Sequence, residues 1–190
     1  MIAQLQQPSR MAPDEYLIWE AQQELRYEYV DGEIIAMTGG TVPHNDIALN
    51  LYRLLYPHLR KRGCRINVSD VKVQSQQGDR YFYPDVVVTC HPDDRQAQAF
   101  IKHPTVIVEV LSPSTETYDR TKKLQYYRQM PSLQEYVLVN ANTMSIEVYQ
   151  RGEGRMWLYC DYGAEDVLQL KSLAFECPVA AVYEDIFLTD

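Results

Sequence analysis

Long apolar runs are absent from this sequence of 190 residues. The longest uninterrupted apolar stretches have five residues, as in residues 179–183, whereas a transmembrane helix needs about 20. Residues 1–16 also lack the basic start and the apolar block of a secretory signal peptide. We therefore expect a cytoplasmic protein that does not associate with membranes.

Cysteine and histidine are scarce, with four residues of each. No two cysteines form a Cys-x-x-Cys pair, so the sequence indicates neither a zinc knuckle nor a dense disulfide framework. Three of the histidines, His58, His91 and His103, show no spacing typical of a metal site. We expect the cysteines to be reduced and mostly buried thiols. They are Cys64, Cys90, Cys160 and Cys177.

Positive charge is in deficit, because 26 acidic residues against 18 basic ones give a net charge of −8. This balance argues against a general polyanion binder, since non-specific affinity for nucleic acids comes mainly from neutralising phosphates. Half of the basic residues nevertheless lie in two acid-free segments, residues 53–65 and 120–128. Such runs are usually solvated helix faces. Next to a carboxylate site, the alternative is contact with phosphates.

Size and composition are those of one globular domain. Domains commonly have about 100 to 200 residues, and 46% apolar with 23% charged residues is ordinary for a folded chain. The sequence contains no internal repeat, low-complexity tract or linker. We therefore expect a single α/β domain over residues 1–190, built around a mixed sheet.

Turn and helix signals divide the chain into elements. A short helix is expected over residues 13–24, and Asp31-Gly32 between apolar segments predicts a hairpin. Apolar residues at helical spacing predict a long helix over residues 45–62 and another over residues 117–130. The expected strands are residues 25–30, 33–37, 64–68, 71–75, 81–90, 105–111, 135–140, 145–150 and 155–160, followed by a short terminal helix within residues 178–187.

An acid interrupts the apolar segment TVIVEVL at residues 105–111. The segment is β-branched and apolar on both faces, which is typical of a central strand covered on both sides. A lone Glu109 in such a strand must be paired, protonated or bound to a cation. Asp85 likewise precedes the apolar residues 86–88. Two strands with one acid each indicate carboxylates that converge on a divalent cation.

Four motifs occur in order along the chain. They are EYVDGEIIAMTGG at residues 28–40, YPDVVV at 83–88, VIVEVLSPST at 106–115 and DRTKKLQYYRQMPSLQEYVLV at 119–139. With the helix that begins near His44, they resemble the Uma-two family of restriction-endonuclease-like proteins, a branch of the PD-(D/E)XK nuclease superfamily. The resemblance covers most of the chain. It implies a mixed β-sheet flanked by helices, with an N-terminal hairpin and C-terminal antiparallel strands.

The resemblance implies a metal site at Asp85 and Glu109. The superfamily pattern has Pro-Asp on one strand, then an acid, any residue and a lysine on the next strand. Pro84-Asp85 and Glu109 match this pattern, whereas Leu111 stands at the lysine position. The alternative for the two acids is a structural pair satisfied by basic side chains or backbone donors.

A lysine of the following helix is expected to replace the missing one. The family's Asp-x-x-x-Lys-x-x-x-Tyr spacing maps onto Asp119, Lys123 and Tyr127. Positions four apart lie along one helix face, so the three side chains can point together toward the strand ends. Helical phase and family spacing favour Lys123 over Lys122. The alternative is a surface Asp-Lys pair worth about 0.3 to 0.5 kcal/mol.

Two further candidates come from the N-terminal part of the resemblance. Glu28 lies in the matching hairpin motif and is expected to be an additional metal ligand or a group behind the ligands. Its alternative is an exposed strand residue between Tyr27 and Tyr29. His44 is expected to approach the site, and its alternative is a surface histidine at a helix start.

The resemblance implies an endonuclease that hydrolyses DNA with Mg²⁺ or Mn²⁺, with Asp85, Glu109 and Lys123 as catalytic residues. Cleavage of both strands favours a homodimer. The first alternative is a catalytically degenerate binding or scaffold protein, which Leu111 and the acidic pI of about 5.0 support. The second is a hydrolase of RNA or of small phosphodiesters that uses the same metal chemistry.

Overall fold

The computed structural model describes residues 10–37 and 39–188. Its longest helix is α2, and a second helical segment consists of α3, a π-helical turn and α4 in direct succession. The helical elements are α1 (Pro13–Glu20), α2 (Val42–Lys61), a 3₁₀ turn (Pro92–Gln96), α3 (Glu116–Tyr118), the π-helical turn (Asp119–Lys123), α4 (Leu124–Tyr127), a second 3₁₀ turn (Lys171–Leu173) and α5 (Val179–Val182). The strands are β1 (Tyr27–Val30), β2 (Glu33–Ala36), β3 (Arg65–Val68), β4 (Lys72–Gln74), β5 (Arg80–Phe82), β6 (Val86–Thr89), β7 (Phe100–Ile101), β8 (Val106–Leu111), β9 (Glu135–Asn140), β10 (Ile146–Arg151), β11 (Trp157–Tyr162), β12 (Val167–Leu170) and β13 (Phe175–Pro178).

The described strands form two main sheets and a separate hairpin. The larger sheet has the order β11-β10-β9-β8-β6-β3, with β8 and β9 parallel and the other neighbours antiparallel. The second sheet has the order β2-β1-β5-β4-β7, and β12 pairs with β13. The predicted mixed α/β architecture is confirmed. The expected strands, however, divide between two sheets.

Helix α2 covers one face of the larger sheet. It begins three residues before the predicted start, because the Thr41 side chain accepts a hydrogen bond from the His44 N–H and Pro43 suits a first turn. Pro57 lies inside the helix without ending it. The residues that α2 buries against the sheet are Ile47, Ala48, Leu51, Leu55 and Leu59.

Strand β8 is buried on both faces, as predicted. Val108 packs on the α2 side, whereas Ile107 and Leu111 pack on the opposite side, against residues of the second sheet and of α4. Because alternate residues of a strand share a face, Glu109 points to the same side as Ile107 and Leu111. The acid therefore faces the helical segment that carries Lys123.

The N-terminal hairpin forms where the sequence predicts it. Asp31 and Gly32 have φ values of 52° and 95°, which the tight turn between β1 and β2 requires. Helix α1 ends at Glu20 and α4 at Tyr127, earlier than predicted, and the β12–β13 hairpin was not predicted. No helix among the described residues is both long and apolar enough to cross a membrane.

Two of the four cysteines correct the expectation of reduced thiols. Cys64 and Cys90 form a disulfide, while Cys160 and Cys177 are free. Arg65 pairs with Thr89 across β3 and β6, so the residue before β3 lies opposite the residue after β6, and the two cysteine Cα atoms are 4.2 Å apart. A separation of 26 residues in sequence gives no sign of this pairing.

A buried acid of β9 predicts a pH dependence of stability. Glu135 is fully buried and accepts hydrogen bonds from the backbone N–H and the hydroxyl of Ser172. Burial raises the pKa of the Glu135 carboxyl, and the Ser172 hydrogen bonds only partly oppose this effect. Its stabilising contribution is therefore complete below the unfolded pKa and is lost as the pH rises through the folded pKa.

We expect wild type to lose stability relative to Glu135→Gln as the pH rises from about 4, the ordinary range of a glutamate, toward neutrality. Glutamine keeps acceptor capacity for Ser172 but cannot ionise. Thermal unfolding across this pH range measures the difference. Glu176→Gln, at an exposed position of β13, is the control. Identical pH profiles for wild type and Glu135→Gln would contradict the prediction.

Candidate active site

A cleft of about 800 Å³ opens where the start of α2, the residues before β6, strand β8 and the π-helical turn come together. These elements are distant in sequence and meet because β6 and β8 are neighbours in the larger sheet. Eight ionisable side chains form part of the cleft wall, and besides Glu24, Arg26 and Tyr83 there are five that bear on the site. They are His44, Asp85, Glu109, Asp119 and Lys123.

Asp85 lies just before β6, at the point where the β6–β8 ladder ends. Val86 pairs with Val108, and beyond this pair the Oδ2 atom of Asp85 accepts the N–H of Val110 at 2.7 Å. The same oxygen lies 3.3 Å from Nε2 of His44. The carboxylate is thus fixed against β8 by a backbone donor and against α2 by an imidazole.

Glu109 is held by two donors from the helical segment. Its Oε1 atom accepts hydrogen bonds from Nζ of Lys123 at 3.1 Å and from the hydroxyl of Tyr127 at 3.0 Å. Only 4% of its side chain is exposed. The side chains of Asp119, Lys123 and Tyr127, which the sequence predicts on one helix face, are therefore brought together near Glu109.

Lys123 is the central cation of the site. Its Nζ atom lies 3.1 Å from Oε1 of Glu28, 3.1 Å from Oε1 of Glu109 and 3.3 Å from Oδ1 of Asp119. Burial lowers the pKa of this lysine, but the charges of Glu109, Glu28 and Asp119 outweigh burial and raise it well above its ordinary value. Lys123 therefore stays an ammonium. Leu111 leaves the strand without a cation, and Lys123 supplies one beside Glu109.

Glu28 supports the site from behind Lys123. It is buried in β1, its Oε1 atom accepts the N–H of Tyr83 at 3.1 Å, and it is not among the described residues that line the cleft. The hydroxyl of Tyr83 in turn donates to Glu20, which is paired with Lys72 at 2.6 Å. This geometry favours the second of the two expected roles, a group behind the ligands.

The cluster has an excess of negative charge. It contains four carboxylates but one lysine: Glu28, Glu109 and Asp119 contact Lys123, whereas Asp85 contacts His44. Burial raises the pKa of Glu109, Lys123 lowers it, and the nearby Asp119, Asp85 and Glu28 raise it further, with a net value well above the ordinary range. The anionic form of Glu109 therefore needs more positive charge than Lys123 provides.

His44 faces Asp85 across the cleft wall. Burial lowers the pKa of its imidazole, but the hydrogen bond and the charge of Asp85 outweigh burial, so the net direction is upward. Gly40 lies directly behind the ring, since a Cβ atom built at this glycine would come within 2.8 Å of Nδ1. His44 thus lies at the cleft wall beside Asp85, and a side chain at position 40 would displace it.

The carboxylate oxygens of the cleft suit a hard cation. Oδ1 of Asp85 and Oε2 of Glu109 accept no hydrogen bond from any residue that the structure describes. Oδ1 of Asp119 is buried and, among the described residues, has no hydrogen-bond donor. Divalent cations such as Mg²⁺ bind through oxygen atoms of this kind. The donor set and the excess negative charge therefore fit a divalent metal.

Most basic residues of the two acid-free segments are engaged within the protein. Arg62 donates to the carbonyl of Leu173, and Arg65 donates to the carbonyls of Asp94, Arg95 and Ala97. The other engaged residues are Arg53, paired with Glu184, Arg120, paired with Glu116 and Glu147, Lys123, paired with three carboxylates, and Arg128, whose guanidinium lies over the ring of Trp157. Exposed basic side chains without such contacts among the described residues include Arg60, Lys61 and Lys122.

Asp119 was named for its spacing in the sequence but was not considered as a metal ligand. Its only signal was the spacing of four residues to Lys123, which also occurs in ordinary surface pairs. The structure shows it 2% exposed, with its carboxylate at the cleft wall. The π-helical turn that spans both residues is an uncommon feature frequently found at functional sites.

Comparisons with known proteins identify the family of this chain. The model of the Uma2 family, described as "Putative restriction endonuclease", matches residues 13–180. An uncharacterized protein of Synechocystis sp. (strain ATCC 27184 / PCC 6803 / Kazusa), slr1290, is 42% identical over 177 residues, which cover 93% of each chain. A second, sll1609, is 36% identical over 154 residues, covering 80% of this chain and 87% of the relative.

The fold has a counterpart among solved structures. A crystal structure described as a putative nuclease belonging to DUF820, from Anabaena variabilis ATCC 29413, superposes with a TM-score of 0.71 and 17% identity. The match covers 91% of this chain and 97% of that chain, and it shows a shared fold. With the family model matched from α1 to α5, the chain belongs to the Uma2 family, which is the Uma-two family that its motifs resemble.

Proposed function

We propose that the protein is a divalent-metal-dependent endonuclease that hydrolyses phosphodiester bonds in DNA. One observation carries this proposal: Asp85 and Glu109 line the same cleft, and each has a carboxylate oxygen to which no described residue donates. The ammonium of Lys123 lies beside them. This combination of oxygen donors and a nearby lysine is suited to charged phosphate chemistry.

The residues of the cleft take distinct roles. Asp85 and Glu109 would hold Mg²⁺ or Mn²⁺, and Asp119 is a further oxygen donor at the same wall. When bound, the ion supplies the Lewis acidity that activates water and neutralises charge on a phosphate. Lys123 fixes the position of Glu109, and because it lines the cleft we assign it a second role, contact with a phosphate oxygen or the attacking water. Glu28 positions Lys123.

The alternative of a degenerate, non-catalytic fold has its own support. Nζ of Lys123 lies within 3.3 Å of three carboxylates, so its charge is engaged with the protein. Leu111 packs in the core and supplies no charge. In that case the cluster is a buried ion network that stabilises a binding domain. Metal binding and cleavage distinguish the two functions.

Four finer properties are part of the proposal. DNA, as opposed to RNA or small phosphodiesters, is the proposed substrate, and a homodimer would place two sites for the two strands. We propose a cytoplasmic location and a single domain, as the sequence predicts. The Cys64–Cys90 disulfide is the observation that argues against the cytoplasmic location, since disulfides persist mainly in oxidising compartments. Analytical ultracentrifugation tests whether the protein is a homodimer.

The test is a titration of Mn²⁺ and Mg²⁺ by calorimetry, followed by cleavage assays on supercoiled plasmid, single-stranded RNA and a small phosphodiester. We expect wild type to bind the ions and to nick plasmid in a reaction that a chelator stops. Asp85→Asn and Glu109→Gln should each lose at least about 100-fold in activity, since even residues behind metal ligands commonly account for 10- to 100-fold.

Matched controls separate loss of the site from loss of the fold. Asp161→Asn and Glu153→Gln replace exposed acids of β11 and of the turn before it, and they should retain full activity. In chelator, Glu109→Gln should melt no lower than wild type, because removing one of several crowded acids relieves repulsion. The nuclease proposal fails if wild type binds neither ion at millimolar concentration. A large fall in the melting temperature of Glu109→Gln would support the structural network.

A further inference from the structure

Two loops away from the cleft bring together histidines that are distant in sequence. His91 lies after β6, Asp93 is the second residue of the first 3₁₀ turn, and His103 lies between β7 and β8. One ligand atom from each of the three side chains lies within 4.8 Å of the other two. The two imidazole rings are stacked, with centroids 3.9 Å apart and planes at 21°.

The loops that carry these side chains are fixed by a buried carboxylate. Asp94 is 2% exposed and accepts hydrogen bonds from the hydroxyl of Thr89 at 2.8 Å and from the N–H groups of Lys102 and His103 at 3.1 and 2.8 Å. It therefore ties the end of β6 to the turn before β8. The Cys64–Cys90 disulfide anchors the residue next to His91.

Asp94 also orients the ring of His103. Nδ1 of His103 lies 3.5 Å from Oδ1 of Asp94 and, among the described residues, it is a buried nitrogen with no hydrogen-bond partner. A proton on Nδ1 would face the carboxylate, which leaves Nε2 to act as a ligand. A carboxylate behind the second nitrogen of an imidazole is the usual support of a metal-binding histidine.

From this geometry we propose that His91, Asp93 and His103 bind a transition-metal ion of the Zn²⁺ class. Imidazole suits Zn²⁺, Cu²⁺ and Ni²⁺, whereas Mg²⁺ prefers oxygen donors alone. The side chains of His91 and Asp93 are 42% and 75% exposed, so an ion from solvent reaches them directly. This site uses none of the residues that line the cleft.

Binding requires a small closure of the three side chains. Metal–ligand distances of about 2.0 to 2.2 Å place two ligand atoms of one zinc ion about 3.3 Å apart. The exposed His91 and Asp93 can rotate by this amount. This closure costs one weak interaction. Nδ1 of His91 accepts the N–H of Asp93 at 3.3 Å, and this hydrogen bond requires the tautomer in which Nδ1 carries no proton.

The bound ion would act as a clamp on the loop before β8. His103 is three residues from Val106, where β8 begins, and β8 carries Glu109. An ion that binds only the folded protein stabilises it according to its concentration and affinity. We therefore expect Zn²⁺ to raise the melting temperature.

Calorimetric titration of Zn²⁺ tests the site in the Asp85→Asn/Glu109→Gln protein, in which the cleft has lost the two carboxylates proposed to hold its ion. We expect one saturable site and a higher melting temperature with Zn²⁺. His91→Gln, Asp93→Asn and His103→Gln, each added to this background, should weaken binding at least about tenfold, as losses around metal ligands do. His58→Gln is the control and should leave binding unchanged.

The zinc-site proposal and the nuclease proposal can fail independently of each other. Failure of Mn²⁺-dependent cleavage would leave Zn²⁺ binding at His91 intact, and the reverse also holds. The proposal is overturned if no saturable Zn²⁺ binding occurs, or if His91→Gln binds as tightly as the background protein. His91 is exposed, so His91→Gln is expected to fold even where His103→Gln does not.

Discussion

Replacement of Lys123 by methionine should destabilise the protein by about 3 to 5 kcal/mol in the presence of a chelator, the usual cost of removing one partner from a buried ion pair. The change leaves Glu28, Glu109 and Asp119 within a few ångströms of one another without a cation. Methionine keeps most of the side-chain volume, so the effect reports charge more than packing. Urea unfolding at neutral pH measures the difference in free energy.

Lys122→Met is the matched control, because Lys122 is the exposed neighbour in the same π-helical turn. Its expected effect is small, since surface charges contribute little. Mn²⁺ should restore part of the stability of Lys123→Met, because an ion held by the same carboxylates replaces the lost positive charge. Equal stability of the Lys122 and Lys123 variants would show that the carboxylates do not depend on the ammonium.

Loss of the Cys64–Cys90 disulfide should cost about 3 to 4 kcal/mol, according to the chain-entropy relation for a loop of this length. We expect the Cys64→Ala/Cys90→Ala variant and reductant-treated wild type to unfold at similarly lower urea concentrations. Thiol titration of denatured protein should find two reactive groups without reductant and four with it, since Cys160 and Cys177 are free.

Reductant provides the internal control for the disulfide. It should lower the stability of wild type but leave the Cys64→Ala/Cys90→Ala variant unchanged. Four thiols in untreated denatured protein would show that the two cysteines are reduced, as the sequence alone suggests. In that case no reductant-dependent change in stability would be found.

Two acids of the cleft could be singled out from sequence because they violate a local pattern. Glu109 stands out in an apolar strand, and Asp85 stands out before a run of valines. Lys123 required the family spacing as well, since a lysine four residues after an aspartate is common on helix surfaces. Strand alternation places Glu109 on the same face as Ile107 and Leu111, but which elements cover that face is known only from the structure.

What the sequence did not predict depends on contacts between distant segments. Cys64 and Cys90 meet because β3 pairs with β6, and His91 meets His103 because Asp94 joins two loops. The division of the strands into two sheets has the same origin, since β1 pairs with β5 although the whole of α2 lies between them in sequence. No periodicity within a single segment encodes such partners.

The connection between β8 and β9 has a consequence for how the molecule folds. Parallel neighbours need a crossover, and here the crossover is the helical segment that carries Lys123. We therefore expect the pairing of β8 with β9 and the contact between Lys123 and Glu109 to form in the same folding step. The amide of Val110, bonded to Asp85 beside this crossover, should exchange its hydrogen only when the central sheet opens. Slow hydrogen exchange at that amide would report sheet and site as one cooperative unit.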